Sequence, residues 1–275
     1  MIRGAGFILL ILAAFPSRAQ EAEYIDLVKK EDELYSLFNV LYSDTLSSPA
    51  RILDQIRTIM PEALTEEGAM DYPWNRLGRI GVVTSDDGKL RIFTWHVMED
   101  PDQYKYYGYI QMNQKKDRIR VFELTDNLKP QRNLTNLDQS TEDWCGKLYY
   151  NIITETYKRK AYYTLLGMDF NNTNSTIKTI ETFTLQRNKP RFEKGLFLVG
   201  DRSQDRMVLE YSSQVSMTVR YDGAIRMIVF DHLEPLHPIY KNNYEFYGPD
   251  GSFDGLKYSD GIWIFYKDID ARNRD

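Results

Sequence analysis

The sequence predicts a mainly β protein, an N-terminal helical hairpin followed by an antiparallel β-meander that closes as a barrel or stacks as a sandwich. Three observations lead to this class. Apolar residues recur at three- and four-residue intervals only before residue 65, and after a polar joint over 66–75 the period becomes two. Turn dipeptides such as Asp87-Gly88, Asp222-Gly223 and Asp260-Gly261 punctuate the second part. The 20 tyrosines and 13 phenylalanines suit paired strands, where a ring packs on its cross-strand neighbour.

The first element is an export signal. Arg3 precedes an apolar run from Gly4 to Phe15, and Ser17-Arg18-Ala19 places small side chains at a cleavage site. A signal peptide over 1–19, cut before Gln20, is expected. The run is too short to cross a bilayer, so no integral membrane span is expected after cleavage, and the protein belongs in the periplasm or is secreted. No cysteine lies nearby to carry a lipid.

The helical hairpin is expected over 20–65. Tyr24, Leu27, Val28, Leu34, Phe38 and Leu41 form one apolar face, and Ile52, Leu53, Ile56, Ile59 and Met60 a second. Ser47-Ser48-Pro49 reads as the start of the second helix and Pro61 as its end.

The β domain is expected over 76–275. Strands at 79–84 and 89–95 flank a hairpin turn at Ser85-Asp86-Asp87-Gly88, and 104–112 and 118–124 flank Lys116-Asp117. The polar stretch 125–143 is long for a connection, hence either functional or mobile. Strands follow at 147–154, 160–166, 177–185, 206–211, 215–221 and 224–230, then a proline-containing loop at 232–243 and a closing pair at 253–258 and 262–266. Without a fixed internal period, a regular propeller is disfavoured.

Composition excludes several classes. The net charge is −5 and the cations are dispersed among acids, so no nucleic acid is expected as partner. A single cysteine, Cys145, rules out an intramolecular disulfide framework in a compartment that permits one. Trp144-Cys145-Gly146 resembles the start of a thioredoxin-type site but lacks the second cysteine. No Gly-x-Ser-x-Gly elbow and no glycine-rich phosphate loop occur.

Three features remain as candidate chemistry. Asp250, Ser252 and Asp254 place oxygen ligands as in the first half of a calcium loop, but Gly261 stands where a bidentate glutamate is required. Beyond that calcium candidate, no cofactor is expected. Asp231, His232, Glu234 and His237 share one loop, with two imidazoles and two carboxylates able to bind a ligand, hold a metal or move a proton. Aromatic clusters such as Tyr104-Lys105-Tyr106-Tyr107-Gly108-Tyr109 send neighbours to opposite faces, so Tyr107 and Tyr109 are candidates for an outward surface that stacks on sugars or peptides.

The stretches Ser85 to Trp95, Tyr162 to Gly167 and Phe246 to Gly251 resemble uncharacterised exported β-rich proteins of Gram-negative bacteria. That resemblance implies export and a common scaffold, and no activity. The functional expectation is a non-catalytic binding or scaffold module of the cell envelope, whose partner is a glycan, a peptide or an envelope protein. The alternative is an envelope hydrolase acting on polysaccharide or peptidoglycan, built on a carboxylate pair or on the loop from Asp231 to His237.

Overall fold

The computed structural model describes residues 24–43, 49–100, 103–114, 118–128 and 131–270. The expected signal peptide lies outside them. Among the described residues no helix is long and apolar enough to cross a membrane.

Among the described residues two helices, α1 (Ile25–Leu41) and α2 (Ala50–Thr65), precede 15 strands. The strands are β1 (Gly81–Thr84), β2 (Leu90–Asp100), β3 (Gln103–Gln114), β4 (Arg118–Thr125), β5 (Leu148–Tyr157), β6 (Lys160–Asp169), β7 (Ser175–Gln186) and β8 (Lys189–Phe192). They continue with β9 (Phe197–Val199), β10 (Arg202–Gln204), β11 (Arg206–Ser212), β12 (Val219–Asp222), β13 (Met227–Pro235), β14 (Tyr247–Ser259) and β15 (Ile262–Tyr266). They build a first sheet ordered β1-β2-β3-β4, a second ordered β11-β7-β6-β5 with β8 beside β7, and a third ordered β10-β9-β15-β14-β13-β12. Every pairing is antiparallel except β15 with β9.

The sheets stack rather than close into a barrel. Leu34, Phe38, Ile56 and Met60 of the helices pack with Phe93, Trp95 and Tyr109 on one face of the first sheet. Ile92, Tyr106 and Ile110 on its other face meet Tyr149, Leu165 and Phe183 of the second sheet. Ile153, Leu166 and Ile180, on the far face of the second sheet, meet Ile228, Leu256 and Trp263 of the third. Four layers therefore enclose three apolar seams, and the two inner sheets are dry on both faces.

Double burial explains why inner strands carry polar residues that no surface pattern foretells. Thr164 and Thr182 hydrogen bond to each other at 2.9 Å, and Thr164 Oγ1 also accepts from the Trp263 indole at 2.9 Å. Buried polar atoms must be paired inside the protein, and cross-strand partners satisfy that need.

Four expectations need correction. Pro61 does not end α2, which runs on to Thr65. The strand expected from Val215 begins only at Val219, because the Asp231 carboxylate accepts the Thr218 amide at 2.6 Å in place of a ladder partner. The loop expected over 232–243 is strand as far as Pro235, with the excursion confined to 236–246. Strands β8, β9 and β10 were not expected at all, being too short for a period to register; β9 and β10 turn about Gly200, whose φ of +62° suits glycine.

Candidate functional site

Most of the candidate residues gather on the β13–β14 hairpin, and its irregularities decide what each does. The register steps from Asp231 opposite Phe253 to Leu233 opposite Pro249. His232 thus faces three residues, Asp250, Gly251 and Ser252, which bulge from β14. Gly251 at φ +94° permits the bulge, so Asp250-Gly251 interrupts a strand and does not turn a hairpin.

The bulge disperses the calcium-type oxygens. Asp250 Oδ1 accepts from the Ser252 amide at 2.9 Å and hydroxyl at 2.8 Å, a local turn. Asp254 turns inward, accepting from the Asp268 amide at 3.0 Å and contacting His232 Nδ1 at 2.6 Å. Among the described residues, no group of three or more His, Cys, Asp and Glu side chains is arranged to hold a metal ion.

His232 is bound on both sides. Its Nε2 lies 3.1 Å from Glu234 Oε1, while Nδ1 meets Asp254, so both ring nitrogens donate to carboxylates when the ring is protonated. Partial burial opposes the charge, but the hydrogen bonds to Asp254 and Glu234 outweigh it and raise the imidazole above the ordinary histidine value. Held between Asp254 and Glu234, the ring ties β13 to the bulge, with a carboxylate at each of its nitrogens. His237 is separate, accepting from the Ile239 amide at 3.3 Å and capping a short 3-10 turn over Pro238–Tyr240.

Tyr107 and Tyr109 do not form an outward face. Two residues apart, they share the side of β3 that faces the helices, where Tyr107 stacks on Trp95 with centroids 5.7 Å apart and Tyr109 is buried. The expected alternation holds, but both faces of this sheet are covered. Burial and neighbouring Glu123 push the Tyr109 hydroxyl up to about 12.

Outward aromatic rings occur instead on the hairpin excursion. Leu236, Ile239 and Tyr244 are exposed, with Ile239 at 78%. Beside the excursion lies a groove of about 240 Å³, lined by Val208, Leu209, Leu233, Tyr244, Tyr247, Glu210, Asn133 and Thr135. The Tyr244 and Tyr247 rings stand 5.0 Å apart at 50°, and the Tyr247 hydroxyl is fixed by the Asn242 amide at 3.0 Å. Glu210 accepts from Ser175 Oγ at 2.7 Å and from Asn133 Nδ2 at 3.4 Å.

Asn133 belongs to the long polar stretch after β4, and buried charges hold the described part of that stretch in place. The Arg206 guanidinium donates to the carbonyls of Leu134 at 2.8 Å, Gln131 at 3.1 Å and Arg132 at 2.7 Å. Arg132 pairs with Asp169 at 2.7 Å, and Asp169 also accepts from the Tyr106 hydroxyl at 2.8 Å. Lys147 meets Glu181 at 2.9 Å with both side chains 1% exposed, and Tyr149 donates a short hydrogen bond to the same carboxylate. Burial alone would raise Glu181, but Lys147 and Arg206 outweigh it and hold the carboxyl below its usual range. Sequence reasoning missed these residues because the hydrogen-bonded partners stand 32 or more positions apart and each charge alone reads as surface.

Comparison of the chain with protein-family models, with curated proteins and with solved structures finds no match.

Proposed function

We propose that the protein is a non-catalytic binding module of the cell envelope, exported to the periplasm or cell surface, which holds a glycan in the groove beside the β13–β14 excursion. The observation that carries the reading is the pairing of Tyr244, 49% exposed, with Tyr247 in a groove whose lining they share with apolar Val208, Leu209 and Leu233, the carboxylate of Glu210 and the amide of Asn133. A sugar offers an apolar C–H face and equatorial hydroxyls, and such a groove supplies a ring for the first and polar atoms for the second. The hydrolase alternative draws on Asp254, His232 and Glu234, but there both imidazole nitrogens face carboxylates within the bulge.

Saturation-transfer NMR with muropeptides and with lipopolysaccharide core oligosaccharide tests the reading. Transfer to sugar C–H protons is expected, and loss of it in Tyr244→Ala with an unchanged melting curve. Absence of transfer from both glycans, or equal transfer in the variant, overturns it.

A further inference from the structure

A second groove lies at the opposite edge of the second sheet, between β1 and β5, the outermost strands of the first and second sheets. Its volume is about 540 Å³ and its lining includes Arg79, Ile80, Val82, Leu148, Tyr150 and Lys178.

Three observations bear on what it accepts. The first is an open strand edge. The Ser85 amide bonds the Leu90 carbonyl at 2.9 Å, so by alternation Gly81 and Val83 face β2, while Val82 and Thr84 turn N–H and C=O to the side where the sheet has no further strand. The second is a presented ring. The β5 register steps from Tyr149 opposite Gly167 to Asn151 opposite Leu166, leaving Tyr150 as the extra residue, 41% exposed, with its hydroxyl tied to the Val219 carbonyl at 3.2 Å. The third is charge. Among the described residues neither Arg79 nor Lys178 pairs with a carboxylate, and the Lys178 ammonium stands 5.3 Å from the Tyr150 ring centroid. Both cations thus lack a carboxylate at ion-pair distance in a chain of net charge −5, Lys178 feeling the more distant charge of Asp231.

We propose that this notch receives an extended segment of a partner protein, laid along β1 and carrying acidic side chains to Arg79 and Lys178. The segment adds a strand: its main chain bonds the outward groups of Val82 and Thr84, one face of side chains rests on the apolar lining and Tyr150, and a carboxylate meets the two cations. A four-residue edge would otherwise be an ordinary protected edge, and charge selectivity separates the two cases. The proposal is independent of the glycan groove, which lies on different strands.

The probe is a capped octapeptide of alternating valine and glutamate, titrated into isotope-labelled full-length protein, with the valine–lysine analogue as control. Shifts centred on β1 and Tyr150, and at least tenfold slower exchange of the Val82 and Thr84 amides, are expected with the glutamate peptide only. Arg79→Glu combined with Lys178→Glu weakens binding at least tenfold. Val82→Pro, which removes an outward N–H and no ladder bond, abolishes the protection of Thr84. Circular dichroism melts establish that each variant is folded. Equal binding of the lysine peptide, shifts confined to other strands, or no protection at millimolar peptide overturns the proposal.

Discussion

The Tyr109 hydroxyl donates to the Arg57 carbonyl at 3.4 Å, and Arg57 is the residue four positions before Pro61. Proline has no N–H for that carbonyl, so the helix continues past Pro61 with a side chain of the sheet standing in for the missing donor. Tyr109→Phe is expected to cost about 1 kcal/mol by leaving the carbonyl unpaired. The cost shrinks in the Pro61→Ala background, where the alanine N–H takes the acceptor. A double-mutant cycle by urea denaturation measures the coupling, and an unchanged cost in that background refutes the assignment.

Two histidines should bend the pH profile of stability in opposite directions. His96 is packed among Tyr42, Tyr104, Tyr106 and Phe170, and burial lowers its pKa to about 4. As pH falls from the unfolded value of about 6.5, the unfolded chain binds a proton that the native state refuses, so stability drops by up to about 3 kcal/mol. His96→Phe flattens that acid-side slope. His232 has a raised native pKa, so its contribution is complete below the unfolded value and fades as pH rises through the native one. His232→Gln removes this alkaline-side decline. Denaturation midpoints from pH 4 to 9 read both effects.

Lys147 and Glu181 form an ion pair with no solvent to screen it. Lys147→Met strips the nearest cation from a buried carboxylate and is expected to cost about 3–5 kcal/mol. Lys147→Met combined with Glu181→Leu should cost less than Lys147→Met alone, because the buried carboxylate is then gone and Arg206, which loses it as a neighbour at 3.8 Å, keeps its three carbonyl acceptors. Chemical denaturation of the two variants decides, and a larger loss in the double variant contradicts the pairing.

Gly81 is where the first two sheets nearly touch. A Cβ there would lie 2.7 Å from the Tyr149 carbonyl oxygen and 2.8 Å from Thr94 Oγ1, and the Tyr149 amide donates to that same hydroxyl at 3.0 Å. Gly81→Ala is expected to force the layers apart at a cost of about 1–3 kcal/mol, and to speed exchange of the Tyr149 amide. At Gly88, where nothing lies within 4 Å, alanine instead meets only the strain of φ +66°.

Periodicity and turn dipeptides located both described helices and most of the described strands, since these signals are local. Stacking order was not legible, because burying a sheet on both faces erases the alternation from which a face is read: Thr164, Thr182 and Glu181 sit as deep as Leu165. At the site, His232 and Asp254 were singled out from sequence, yet as parts of different motifs, and only the bulge at Asp250-Gly251-Ser252 joins them. Tyr107 and Tyr109 were misassigned because aromatic alternation is the same whether the opposite side is water or a pair of helices. Tyr244 and Tyr247 carried no pattern beyond their type, and their role follows from the fold of the excursion they stand on.

Strand β15 enters the third sheet between β9 and β14, beside residues more than 60 positions upstream, with Trp263 wholly enclosed. Among the described strands β15 is the last to be synthesised, so a nascent chain halted short of Ile262 leaves β9 and β14 with two unmatched rims at once. Vectorial synthesis delivers the keystone of that layer after all its neighbours, and until it arrives their apolar faces and open edges are exposed to misassembly.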